Sequence, residues 1–390
     1  MNNLLRYLPQ KLQRVTSGRK IIYEIDGLRF LSIFPVLVQH LSERFERHTN
    51  NHFVDLPIDK ASSFVTSRGF LGIYIFFVIS GFILVLPFAS HYLKGTRRPL
   101  LKDYYWRRLT RLEPPFLFWM SVLFVVFLLV NHASFLKYIP HFLASISYTH
   151  TVIFNKWSPF NPSTWTLEIE IQFYIIAPFL ARMFFCIKKN MVRRGVLIGG
   201  LVGFMVVQQL LHFYANPWSF NILGHLHYFL LGFLLADIYL LEWQKIRRNH
   251  LFDILTLVAG LGLLFSWSWS YELASRLLVI ASLFLLFCSV FKGIWVNRFV
   301  VNPWVTSIGG MCYTIYLIHL PLAELMVHFT KDIHVGPYFT VNLLFQLALF
   351  LPFVLVVGTL GYLVIEKPCM DKDWPLHFKR RVLSLFANRH

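Results

Sequence analysis

The sequence is short of charge. Aspartate, glutamate, lysine and arginine make up 14% of its 390 residues, against about a quarter in a soluble globular protein. Low charge combined with 56% hydrophobic residues and a mean hydropathy of +0.56 excludes an ordinary water-soluble fold. Cysteine is scarce too. The four thiols, Cys186, Cys288, Cys312 and Cys369, form no CxxC pair, which excludes a disulfide frame or a zinc site as the organising device, and no metal is expected. Nothing repeats at a fixed period and no stretch is of low complexity. The first twenty residues lack an apolar core and a small-residue cleavage site, so no cleaved signal peptide is expected. Acidic residues, 19 against 37 Lys and Arg, are too few to balance the bases. That excess does not read as a nucleic-acid surface, because the basic residues gather in alternate loops, which is how topology is encoded in a membrane.

What the chain does have is long apolar runs. Ten reach the length needed to cross the hydrocarbon layer, roughly 17–25 residues each: 21–41, 69–89, 112–131, 164–185, 196–215, 222–241, 251–270, 273–291, 303–328 and 341–365. With the N-terminus in the cytoplasm, 27 Lys and Arg fall on the inside and 7 on the outside. The expected fold is therefore an all-α, polytopic bundle of about ten spans with both termini cytoplasmic. Residues 1–20 form a basic N-terminal segment, 21–368 the membrane domain, and 369–390 a basic tail suited to the inner membrane surface. Two outside segments are long. Residues 42–68 are polar, whereas 132–163 are apolar but interrupted by His and Pro, and read as a re-entrant or surface piece. An eleventh crossing there would invert every later loop.

The first run, IIYEIDGLRFLSIFPVLVQHL, holds the strongest functional signal. A charged Arg inside lipid is costly and marks a protein interior or a wet cavity. Arg29 and His40 are eleven positions apart, about three helical turns, so they share a face ~16 Å apart along the axis. Pro35 lies between them, where a proline is expected to kink the helix. They predict a polar cleft through the membrane. A neutral imidazole can take a proton from a hydroxyl, which suits acyl transfer to an alcohol. The plainer reading is a His that caps or snorkels at the interface.

Four further stretches carry polar groups. In YYWRRLTRLEPPF, Arg107, Arg108 and Arg111 lie within one turn, with Arg107 and Arg111 on a shared face. They either grip phosphates in a forked geometry or mark topology and anionic lipid. In NPSTWTLEIEIQFYIIAPF, Glu168 and Glu170 enter a span on different faces. One could balance a His or an Arg, or form a structural pair with Arg182 or Arg276. In GGMCYTIYLIHLPLAEL, His319 lies mid-span beside Tyr313 and Tyr316. Pro321 there disturbs the helix ladder near residue 317. A His bonded to a neighbouring Tyr is the alternative to catalysis. Glu366, in IEKP, either pairs with the Arg cluster or ends the helix before Pro368. The glycine-rich RGFLGIYIFFVISGFIL reads as a packing face only.

Together, IDGLRFLSIFPVLVQH, GFLGIYIFFVISGFIL, RRLTRLEPPF, TWTLEIEIQFY, YTIYLIHLP and IEKP resemble, in order and across residues 25–368, the membrane-bound acyltransferase 3 family that O-acetylates bacterial surface polysaccharides. The resemblance implies a multi-pass protein of the bacterial inner membrane. Its acyl donor would be cytoplasmic acetyl-CoA, and its acceptor a glycan or lipid-linked glycan such as lipopolysaccharide. Catalytic roles would fall to Arg29, His40 and Glu170, donor binding to Arg107, Arg108 and Arg111, and supporting roles to Trp165, Tyr313, Tyr316 and His319. Two positions depart from the pattern: Tyr74 stands where many members carry Asp, and Glu168 where a small residue is usual. The chain ends soon after its last span and resembles members without an extracytoplasmic hydrolase-like domain. A proton-coupled transporter built on the buried Arg, Glu and His is the alternative reading, although no inverted repeat or paired broken spans support it.

Overall fold

A computed structural model describes residues 9, 11–14, 21–50, 52–53, 56–268, 270–371 and 374–375. The expected basic segments 1–20 and 369–390 lie mostly outside them. Among the described residues the protein is helical without a strand. In chain order the helices are α1 Tyr23–His48, α2 Pro57–Thr66, α3 Leu71–Lys94, α4 Leu101–Val130, α5 Phe135–Ile146, α6 His150–Phe154, α7 Trp165–Phe185 and α8 Asn190–Leu210. They continue with α9 Ile222–Leu241, α10 Leu251–Ser266, α11 Leu273–Lys292, α12 Trp295–Val300, α13 Pro303–Gly310, α14 Cys312–Thr330, α15 Phe339–Gly361 and α16 Lys367–Cys369.

Seven helical stretches are long and apolar enough to cross a membrane: Pro57–Lys94, which joins α2 to α3, then α4, α8, α9, α11, α14, and Phe339–Cys369, which joins α15 to α16. The other three apolar runs fall on α1 and α7, which carry more charge, and on α10, which has 16 residues. The protein is an all-α, polytopic membrane bundle.

α1 is the seam of that bundle. Ile25, Leu28 and Val36 enter one buried cluster with α3, α7, α9 and α11. Ile33, Leu37, Leu41 and Phe45 enter a second with α4, α14 and α15. At ~100° per residue these are two separate stripes; Arg29 and His40 fall on the strip between them, and Asp26 and Glu43 lie on its two flanks. The polar face of α1 is thus trapped where the two cores meet. The helix runs unbroken through Pro35, with acidic residues in its first turn and basic ones in its last, matching the helix dipole.

Close backbone approach locks α3 to α9. A Cβ on Gly232 would lie 2.5 Å from the carbonyl oxygen of Val78 and from the amide nitrogen of Phe82, and one on Gly81 would lie 2.3 Å from the carbonyl oxygen of Phe229. Small residues allow such contact in membrane bundles. A buried ion cluster ties α8 to α9: Asp237 takes Arg193 Nε at 2.5 Å and Arg194 Nε at 2.6 Å.

Two expectations change in detail, the single helix over 303–328 and the partner of Glu168, while the reading of 132–163 as a piece that does not cross stands. The run 303–328 is not one helix. It breaks at Met311 into α13 and α14, and α13 presses against α1 so closely that a Cβ on Gly309 would clash with the carbonyl oxygen of Asp26. The segment 132–163 forms only α5, α6 and a 3-10 turn at Pro162–Thr164, too short to cross. It is held down by Glu168, which accepts from Thr151 N at 2.9 Å and from Thr151 Oγ1 at 2.6 Å. This buried clamp gives the unusual glutamate a structural role, and its partner is Thr151 rather than Arg182 or Arg276.

Candidate functional site

The polar strip of α1 has two ends. At one end His40 Nδ1 donates to Glu43 Oε2 at 2.9 Å. Glu43 is fixed in turn: Gln39 Nε2 donates to its Oε1 at 2.6 Å, and Gln39 Oε1 accepts from the Phe70 backbone N–H at 2.5 Å. That chain of bonds ties the His40 carboxylate partner to the start of α3. A carboxylate on Nδ1 leaves Nε2 as the ring nitrogen that can take a proton.

Facing His40 is His319, fully buried, with its ring centroid 5.3 Å away. His319 Nδ1 donates to the Tyr316 carbonyl at 2.7 Å. A carbonyl only accepts, so Nδ1 carries the proton and Nε2 holds a lone pair. That Nε2 is buried without a hydrogen-bond partner. The helix beneath is braced from outside. Pro321 has no N–H for the Leu317 carbonyl, and Asn161 Nδ2 donates to it instead at 2.8 Å. The Tyr316 hydroxyl donates to the Ser163 carbonyl at 2.6 Å and accepts from Thr166 Oγ1 at 2.5 Å. Trp165 is half-buried and stacks on Phe70 at 5.9 Å between centroids.

At the other end Arg29 Nη1 donates to Asp26 Oδ1 at 2.6 Å, and Arg14 Nε stands 3.4 Å from the same oxygen. Burial and the neighbouring Arg29 pull the Arg14 guanidinium down to about 9, with Asp26 opposing, so it stays charged at neutral pH. From α4, Arg108 lies over the Tyr104 ring at 3.7 Å and donates to the Tyr104 carbonyl at 2.9 Å. Arg111 is close enough to Arg14, Arg108 and Glu366 to interact electrostatically. Glu366, in the wide turn Tyr362–Glu366 that precedes Pro368, accepts from Thr314 N at 3.1 Å and from Thr314 Oγ1 at 2.6 Å. Tyr313 donates to the Leu112 carbonyl at 2.9 Å and so fixes α14 to α4.

The structure therefore brings His40, His319, Tyr316 and Trp165 to one end and Arg29, Arg108 and Arg111 to the other. Two expectations change. Glu170 does not touch His40: it accepts from Ser80 Oγ and lies in the electrostatic reach of Arg29 and Arg108. Glu43 is the carboxylate on the imidazole. Arg107 is exposed, so the inward face of α4 is Arg108 with Arg111 rather than Arg107 with Arg111. Tyr74 brings no carboxylate to the site: it is buried and stacks on Tyr228 at 4.2 Å.

Sequence reasoning missed Asp26, Glu43, Gln39 and Arg14. The first two had a signal, since each lies three positions from the residue it binds, the spacing at which helix side chains meet. Arg14 had none.

The chain is 24% identical to a protein of Staphylococcus aureus (strain COL) named provisionally as an O-acetyltransferase, over 387 residues, 92% of this chain and 59% of that protein. It is 25% identical to the O-acetyltransferase OatA of Staphylococcus aureus (strain NCTC 8325 / PS 47), over 343 residues, 80% of this chain and 52% of OatA. It spans between half and three-fifths of the length of these curated relatives. No solved structure matches it. Residues 22–386 match the acyltransferase 3 family, described as an acyltransferase domain, and the chain belongs to that family.

Proposed function

We propose that this protein is an O-acyltransferase of the bacterial inner membrane that moves an acetyl group from cytoplasmic acetyl-CoA to a hydroxyl of a glycan, free or lipid-linked, at the opposite face. The observation that carries the reading is the single polar strip of α1, with guanidiniums at one end and a carboxylate-held imidazole at the other. The staphylococcal relatives named as O-acetyltransferases support the same reaction type.

In this reading the donor phosphates rest among the guanidiniums at the Arg29 end, and the pantetheine arm runs along the seam between the two cores. His40 Nε2 takes the proton of the acceptor hydroxyl as its oxygen attacks the thioester carbonyl. The C–S bond breaks, and the released thiolate takes that proton from the His40 imidazolium, leaving as free CoA and returning the ring to its neutral form. Glu43 holds the tautomer and stabilises the imidazolium that forms. Glu170, near Arg29 and Arg108, helps to set the charge along the path.

The test is direct. Purified protein supplied with acetyl-CoA and an acceptor glycan releases free CoA only when both are present, and mass spectrometry finds the glycan heavier by one acetyl group. Acetyl-CoA left intact under those conditions contradicts the reading.

A further inference from the structure

Pro9, Lys11 and Arg14, ahead of α1, are built into the Arg29 end. Ser307 Oγ donates to the Pro9 carbonyl at 3.0 Å, and Lys367 Nζ donates to the carbonyl of Lys11. Gly310 lies under Arg14, where an added Cβ would come within 3.9 Å of the Arg14 backbone nitrogen and Cβ. These contacts, made to α13 and to the IEKP turn, carry the Arg14 guanidinium to the Asp26 oxygen that Arg29 already holds.

The charge there is not closed. Arg14, Arg29, Arg108 and Arg111 face Asp26, Glu170 and Glu366. Glu170 is bonded to Ser80 and Glu366 to Thr314. The Nε atoms of Arg14, Arg108 and Arg111 are all buried without making a hydrogen bond. Buried donors are normally satisfied, and guanidiniums crowded together with idle donors are a ready receptor for a multiply charged anion.

We propose that Arg14 is a donor-binding residue, completing with Arg29, Arg108 and Arg111 a four-guanidinium receptor for the phosphates of the acyl donor. Residues 9 and 11–14 thereby form the floor of that receptor. This inference rests on the acyl-CoA reading above and deepens it. It predicts that the chain upstream of the first span is part of the binding machinery, not only a topology signal.

The test uses the full-length protein in nanodiscs, with CoA and phosphate-free pantetheine as probes in a calorimetric binding measurement. Arg14→Ala is expected to weaken CoA about tenfold or more, the loss of one hydrogen-bonded charge contact, while pantetheine binds both proteins alike. Arg14→Lys should recover part of the loss, because an ammonium restores charge but not the fork. A merely structural role would weaken both probes together, and that result overturns the inference. Equal CoA affinity in wild type and Arg14→Ala overturns it as well, while leaving the donor reading standing. Wild-type protein that binds no CoA overturns both.

Discussion

The His319 ring stands 5.3 Å from the His40 ring, and the two imidazoles are held by opposite kinds of partner. Glu43 anchors His40 through Nδ1, and a backbone carbonyl anchors His319 through Nδ1. Both partners only accept at that atom, so each Nδ1 carries the proton and each Nε2 holds a lone pair. The geometry therefore gives the two rings different neighbours: His40 has a carboxylate at its back, and His319 turns a partnerless Nε2 into the protein beside it.

Glu43→Gln tests the anchor. The amide keeps the size but lacks the negative charge that supports an imidazolium. Acyl transfer by this variant should fall on the order of 100-fold in kcat, the scale of a general-base contribution. The KM for the donor should hardly move, because Glu43 lies at the far end of α1 from the guanidiniums. Wild-type kcat in Glu43→Gln contradicts the role.

Substitutions on α4 separate the two sides of its arginine run. Arg108→Ala should raise the KM for acetyl-CoA roughly tenfold or more, since Arg108 faces the cluster. Arg107→Ala should leave it within twofold, since Arg107 is exposed. Steady-state kinetics with donor varied at fixed acceptor decides between them. The opposite ranking would return the inward face to Arg107.

Packing makes its own prediction at Gly232. Alanine there would place a carbon 2.5 Å from the backbone of α3, so α3 and α9 must part. Overpacking of this kind costs about 1–3 kcal/mol. A lower unfolding midpoint for Gly232→Ala in detergent is expected, and an unchanged midpoint contradicts the close packing.

Asn161→Leu removes the donor that covers the Leu317 carbonyl left open by Pro321. Leaving a buried carbonyl bare costs about 1–3 kcal/mol. Both stability and the seating of His319, two residues on, should suffer. Activity and midpoint are expected to fall together, and a fully stable, fully active variant contradicts the bracing role.

Much of this was legible in the residues. Apolar runs and basic loops give the bundle, because lipid enforces them one span at a time. The eleven-residue spacing of Arg29 and His40 shows their common face, because helix periodicity is local. The disturbance of the ladder at residue 317 follows from Pro321 alone. What stayed hidden depends on contacts between segments. Whether Glu43 or Glu170 reaches His40 is decided by how α7 is rotated against α3, where Ser80 claims Glu170. Which α4 arginines face inward is decided by Tyr104, Tyr174 and the cluster, not by spacing, since Arg107 and Arg108 are both within a turn of Arg111. The break at Met311 sits inside an apolar run and shows only when α13 meets α1. Arg14 stands at the site although it precedes α1, and no periodicity announces that.

The central claim is that His40 is the group that activates the acceptor. The measurement closest to it is acceptor-dependent release of CoA by purified His40→Ala protein, taken alongside its binding of CoA. The account predicts a folded, membrane-inserted protein that binds CoA as wild type does and releases none in response to the acceptor glycan. Release at the wild-type rate from His40→Ala would contradict it.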